Sequence, residues 1–152
     1  MLYDQRNGLV EFGLNNADVV CFVIEADTKN TVLLYRFIEG IREPGSHIDW
    51  DREKSILVVN KYATPDNPYL GYVNDPEHYG QIRYEQLTKA AAKNFCYAQA
   101  IPLTEYRVTG NILLGTDPQV KKAARDLADK ILDIIDTNDA ESKKFTPRGG
   151  VF

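Results

Sequence analysis

Residues Ile56–Tyr62 read ILVVNKY: four apolar residues, three of them β-branched, closed at once by Asn60, Lys61 and Tyr62. An unbroken apolar run of this kind is the pattern of a strand covered on both faces of a parallel sheet, because a half-exposed strand alternates instead. Open α/β sheets bind ligands beyond the carboxyl ends of their strands, so Asn60 and Lys61 fall where a binding edge is expected. Two similar runs, Val19–Ile24 (VVCFVI) and Tyr97–Leu103 (YAQAIPL), stand on either side, with helical patterns between and after them.

Upstream, residues 18–25 read as a second strand covered on both faces. Thr28 can cap a helix in which Val32, Leu34, Phe37, Ile38 and Ile41 recur at spacings of three and four, ending at Glu43-Pro44-Gly45. Strand, helix and strand at these lengths make a βαβ unit. Ser46–Lys54 then reads as a loop carrying Trp50 among charged residues. The opening stretch gives an apolar Leu2-Tyr3, a turn-like Asp4–Gly8 and a short helix through Leu9, Val10, Phe12 and Leu14.

Downstream, residues 64–80 are rich in Pro, Asn, Asp, Gly and Tyr and read as a long loop, a length that is uncommon in compact domains unless functional. Gln81–Phe95 reads as a helix with Ile82, Leu87, Ala91 and Phe95 on one side, and the next strand ends at Ile101-Pro102-Leu103. Asp117-Pro118 opens a last helix with Val120, Ala124, Leu127, Ile131 and Ile134 as its apolar stripe. The expected fold is α/β, a three-layer, mainly parallel sheet with flanking helices. It forms one domain over residues 1–137, followed by a flexible tail over 138–152.

With 152 residues, 43% hydrophobic and 26% charged, the chain is long enough for one soluble domain with a single core. A formal net charge of −4 argues against a broadly basic surface, so no direct nucleic-acid partner is expected. No run approaches the roughly 18 apolar residues of a membrane span, and MLYDQRNG lacks a basic start followed by an apolar segment. Cys21 and Cys96 read as reduced, buried thiols, and the expected location is cytoplasmic.

Several residues invite a chemical reading, each beside a plainer one. Asp4 can hold a magnesium-bound water and Gly8 can let a backbone N–H approach a terminal phosphate, although Asp, Asn and Gly also make ordinary turns. Asn60 carries an amide that both donates to and accepts from a purine ring, or it simply ends a strand. Pro102 and Leu103 can wall a base pocket with a backbone that cannot donate at Pro102. Glu25 and Asp27 form either a carboxylate pair or an exposed acidic loop. His47 and His78 have no metal-ligand spacing. Tyr62, Tyr69, Tyr72, Tyr79 and Tyr84 suit a protein interface, or a loop folded over its own side chains.

Taken in order, these pieces resemble the ParA/MinD class of deviant Walker (SIMIBI-class) P-loop ATPases. The family's Asp-x-Pro-Ala-Gly segment is matched by Asp4-Gln5-Arg6-Asn7-Gly8, and its Ala-Asp pair and strand by Ala17-Asp18 and VVCFVIEA. Thr28-Lys29-Asn30-Thr31 opens a helix, and strands ending in Asn and in Ile-Pro follow, with a last helix introduced by Asp-Pro. The resemblance implies that Asp4 stands near magnesium and water, Gly8 faces the γ-phosphate, and Asn60 and Lys61 read adenine beside Pro102 and Leu103. The guanine-specific motif has an Asp two residues after the Lys, where this chain has Ala63. Gln5-Arg6-Asn7 departs from x-Pro-Ala.

The family's Lys-Gly-Gly-x-Gly-Lys-[Ser/Thr] loop belongs upstream of Asp4 and does not occur here. Without its backbone N–H groups and lysines little cradles phosphates, so ATP and Mg2+ require a further N-terminal half. The expectation is therefore the C-terminal portion of a ParA/MinD-like ATPase, contributing the adenine pocket and an interaction surface and not hydrolysing ATP alone. The alternative is a non-catalytic interaction module that engages a second copy or another protein through loop 64–80 and an exposed sheet edge. A guanine-nucleotide regulator is a third reading, disfavoured by Ala63.

Overall fold

In the computed structural model, which describes residues 5–72, 84–104 and 117–145, Ser55–Tyr62 forms the middle strand of a three-stranded sheet. Its neighbours are β1 (Val20–Glu25) and β3 (Tyr97–Pro102), with Ser55–Tyr62 as β2, in the order β1-β2-β3 and parallel throughout. Ser55 to Val59 are all buried, as an unbroken apolar run between two covered faces requires. Side chains alternate across the pleat, so Leu57 and Val59 enter one cluster and Ile56 and Val58 another.

The first cluster is closed by α2 (Thr28–Arg42), through Leu34 and Ile38, and by α3 (Tyr84–Ala91), through Leu87 and Ala91. Phe22, Trp50 and Phe95 complete it with edge-to-face contacts at centroid distances of 5.1 to 5.8 Å. The second cluster is closed from the opposite face by α4 (Pro118–Phe145), through Leu127, Ile131 and Ile134. This is a small open parallel sheet with helices on both faces, and among the described residues no helix is long and apolar enough to cross a membrane.

The ends of the elements have local causes. Asp27, not Thr28, caps α2: its carboxylate accepts from Asn30 N–H at 2.6 Å, while its own backbone is extended. Asp117 caps α4 by accepting from Gln119 N–H at 2.8 Å and Val120 N–H at 3.1 Å, with Pro118 in the first helical position. The helix expected over Gln81–Phe95 ends at Ala91, because the chain must turn before Cys96 N–H donates to Ser55 C=O at 3.0 Å and starts β3. Phe95 reaches the core from that turn rather than from the helix. Gln81, Ile82 and Arg83 lie outside the described residues.

Asn94 ties this turn to the rest. Its side-chain oxygen accepts from the Arg42 guanidinium, and its carbonyl accepts from the Trp50 indole N–H at 3.1 Å. A buried residue that meets both elements, one through its side chain and one through its backbone, fixes their relative position, because leaving either oxygen unpaired would be costly.

Several expectations are corrected. Among the described residues β1 is an edge strand rather than one covered on both faces: Val23 is 62% exposed, because α4 lies over β3 and β2 and leaves β1's side of that face open. Cys21 shares that open face and is exposed rather than buried. α4 continues to Phe145, past residue 137 where the tail was expected to begin; its Ala, Glu and Lys are good helix formers, and extending a formed helix adds one hydrogen bond per residue. On the same helix Ala123 rather than Ala124 is buried. At the other end α1 (Gln5–Asn16) is longer than the segment read from Leu9, with Leu14 buried but Leu9 and Phe12 exposed.

Two substitutions test this account. Leu57→Ala, at a position with no exposed surface, is expected to lower unfolding free energy in urea by about 2–5 kcal/mol. Asp27→Ala is expected to cost about 0.5–2 kcal/mol through the lost cap.

Candidate functional site

All three strands run parallel, so their carboxyl ends share one edge, and there Glu25, Asn60 to Tyr62, and Pro102 come together. Glu25 pairs in register with Asn60, and Tyr62 with Pro102, with an irregularity between Val59 and Tyr62. Lys61 sits in that irregularity with a φ of 50°, in the left-handed region that side chains with a Cβ adopt at a cost. From there its ammonium reaches the Glu25 carboxylate at 2.7 Å. Both side chains are more than a third exposed, so the pair contributes at most about 1 kcal/mol.

Beyond the strands the chain closes over itself. Leu103 N–H donates to Tyr62 C=O at 2.7 Å, and Asn67 donates its side-chain amide to Leu103 C=O at 3.4 Å. Ala63 and Leu103 are buried together with Tyr69 and Leu70 packed on them. Tyr69 thus belongs to a loop folded over its own side chains, and the loop's described part ends in a short 3-10 turn at Leu70–Tyr72. Tyr79 lies outside the described residues.

The expected residues distribute as follows. Asn60, Lys61, Pro102 and Leu103 are brought to one edge. Gly8, read as a loop glycine, lies inside α1, and Asp4 lies outside the described residues. Glu25 and Asp27 are not a working carboxylate pair: the first is held by Lys61 and the second by the start of α2. His47 offers its carbonyl to Asn15, His78 lies outside the described residues, and no group of three His, Cys, Asp or Glu side chains among the described residues is placed to hold a metal ion.

Sheet topology limits what this edge can do. Among the described residues the strand order β1-β2-β3 does not reverse, and it is at a reversal that doubly wound sheets open a crevice. Among the described residues two cavities lie at the opposite, amino-terminal edge. One, of about 370 Å³, is bordered by Arg52, Glu53, Cys96 and Asn138; another, of about 320 Å³, by Asp126, Asp129 and Lys130. Tyr97 and Asp133 border both. The Tyr97 hydroxyl donates to the Asp133 carboxylate, which pushes the phenol's pKa up, and Lys130 donates to the Gln99 amide oxygen. The sequence reading missed this groove. Its one visible signal is the spacing Asp126, Asp129, Asp133 and Asp136, which repeats at helical intervals on one side of α4.

Both thiols are held toward the protonated form. Partial burial pushes the Cys21 pKa up; at Cys96 burial does so first, with the Glu53 carboxylate adding to it. A raised pKa lowers the thiolate fraction at neutral pH, so iodoacetamide should label both thiols more slowly than free cysteine at pH 7.5, with rates still climbing above pH 9. Mass spectrometry across that range checks this. For Lys61, replacement by Gly should leave stability within about 1 kcal/mol of the parent, since relieved backbone strain offsets the lost ion pair. Lys61→Val, β-branched in the same conformation, should cost about 1–3 kcal/mol in urea unfolding.

Comparison with known proteins adds no relative: no protein-family model matches the chain, and neither a curated protein nor a solved structure matches it.

Proposed function

We propose that the chain is the C-terminal portion of a cytoplasmic ParA/MinD-like ATPase with a three-layer P-loop-type fold, and that it contributes the adenine pocket and part of the interaction surface. One observation carries the reading: Asn60 and Pro102–Leu103, on neighbouring strands, lie at the same carboxyl edge. The Asn60 amide donates to and accepts from the base, while Pro102 offers a wall without an N–H. Ala63 in place of an acid removes the partner that guanine's amino group would need. The phosphates and Mg2+ are held by a Walker A-bearing half, toward which Asp4 and Gly8 contribute, so the chain alone is not a competent ATPase.

A second reading, a non-catalytic interaction module, draws on β1. Among the described residues Val20–Ile24 is an edge strand with no Lys, Pro or bulge to blunt it, the condition under which another strand adds by backbone pairing.

Amide-resolved NMR separates the readings. Titration with adenosine should move the amides of Asn60, Ile101 and Leu103, guanosine should not, and the chain alone should show no Mg2+-dependent ATP hydrolysis above background. Equal responses to both nucleosides, or shifts confined to the groove around Tyr97 and Asp133, would remove the adenine-site reading and leave the interaction module.

A further inference from the structure

The residues of α4 sort by the side of the helix they occupy. Leu127, Ile131 and Ile134 close on the sheet, and Lys130 and Asp133 flank them toward β3, where they reach Gln99 and Tyr97. The other flank carries Lys121, Arg125, Ala128, Leu132, Asp136 and Asp139, spaced three or four apart and therefore in one row along the helix. Every member of the row is exposed, and Leu132, at 55%, is an apolar side chain left in water. Among the described residues its four charged members make no ion pair; the pair on α4 is Lys122 with Asp126, at 3.1 Å and off the row.

The row is basic at its start, apolar in its middle and acidic at its end, and that order is complementary to itself. When two such rows run antiparallel about a two-fold axis level with Lys130, Lys121 meets the partner's Asp139, Arg125 meets the partner's Asp136, and Ala128 meets the partner's Leu132, each contact occurring twice. A small residue opposite a large one lets the helices approach to the usual packing distance of about 8–10 Å. Run parallel, the same charges would face their own kind, which is destabilising. From Lys121 to Asp139 the row extends for about 27 Å.

We propose that this flank of α4 is a homodimer interface, occupied by α4 of a second copy in antiparallel orientation. Charge complementarity selects the second copy, since both ends of the row find opposite charge, in one register, against a copy turned end for end. The ion pairs lie at the rim and set orientation and register, while Ala128 and Leu132 supply the apolar contact. One helix per subunit is a small contact for a specific interface, so the dimer forms reversibly with concentration. The pairing uses none of the strand-end residues and is independent of the adenine-site reading.

Sedimentation equilibrium of the full chain over a roughly hundredfold range of concentration tests the pairing. The parent should pass from monomer to dimer across that range, and raising NaCl from about 0.05 M to about 0.5 M should weaken the dimer several-fold. Lys121→Glu with Arg125→Glu makes the row acidic at both ends, and Asp136→Lys with Asp139→Lys makes it basic at both ends. Each double variant alone should be monomeric, and an equimolar mixture of the two should recover a dimer. All four positions are exposed, so the circular dichroism of both variants should match that of the parent. A parent chain monomeric throughout would overturn the proposal. So would a dimer that either variant retains undiminished, or two monomeric variants that fail to associate when mixed.

Discussion

The double coverage of β2 is the constraint on which the rest of the structure depends. Five consecutive residues, Ser55 to Val59, leave water on both faces of the pleat, so the strand can exist only with a neighbour on each edge and a layer on each side. Leu57 and Val59 draw α2 and α3 to one face; Ile56 and Val58 draw α4 to the other. Burying each such side chain contributes about 1.5–3 kcal/mol. The pairing of β2 with β3 resumes at Tyr62 and Pro102 beyond the irregularity after Val59, so Asn60 and Pro102 stay at the same edge of the sheet.

Much of this was legible in the chain because apolar runs and helical periods report burial directly. The three strands, the βαβ unit and the Asp-Pro start of the last helix are where the pattern put them. What misled was treating each run in isolation. Val20–Ile24 is as apolar as Ile56–Val59, yet it sits at an edge, because neighbours and not composition decide coverage. Polarity was likewise a poor guide after residue 137, where the helix continues to Phe145. Asn94, which joins α2, Trp50 and the start of β3, gave no signal, since a single Asn in a turn is ordinary.

The strand-end residues were easier to find than to interpret. Lys61 was legible as a residue at a binding edge, but its left-handed backbone and its pairing with Glu25 depend on a register irregularity that no local pattern announces. Asp27 was read as a carboxylate with chemical options, whereas its energetics are spent on the first turn of α2. The groove between α4 and β3 arises only when Tyr97 and Asp133, distant in sequence, are brought into contact.

The open edge of β1 has a consequence for how the chain behaves at high concentration. Val20–Ile24 combines β-branched and aromatic residues, carries no charge and contains no proline, the composition of segments that stack into cross-β fibrils. Among the described residues only one side of that strand is hydrogen-bonded, which leaves a template for self-assembly on the other. A segment or partner that paired with this edge would act also as a gatekeeper against aggregation.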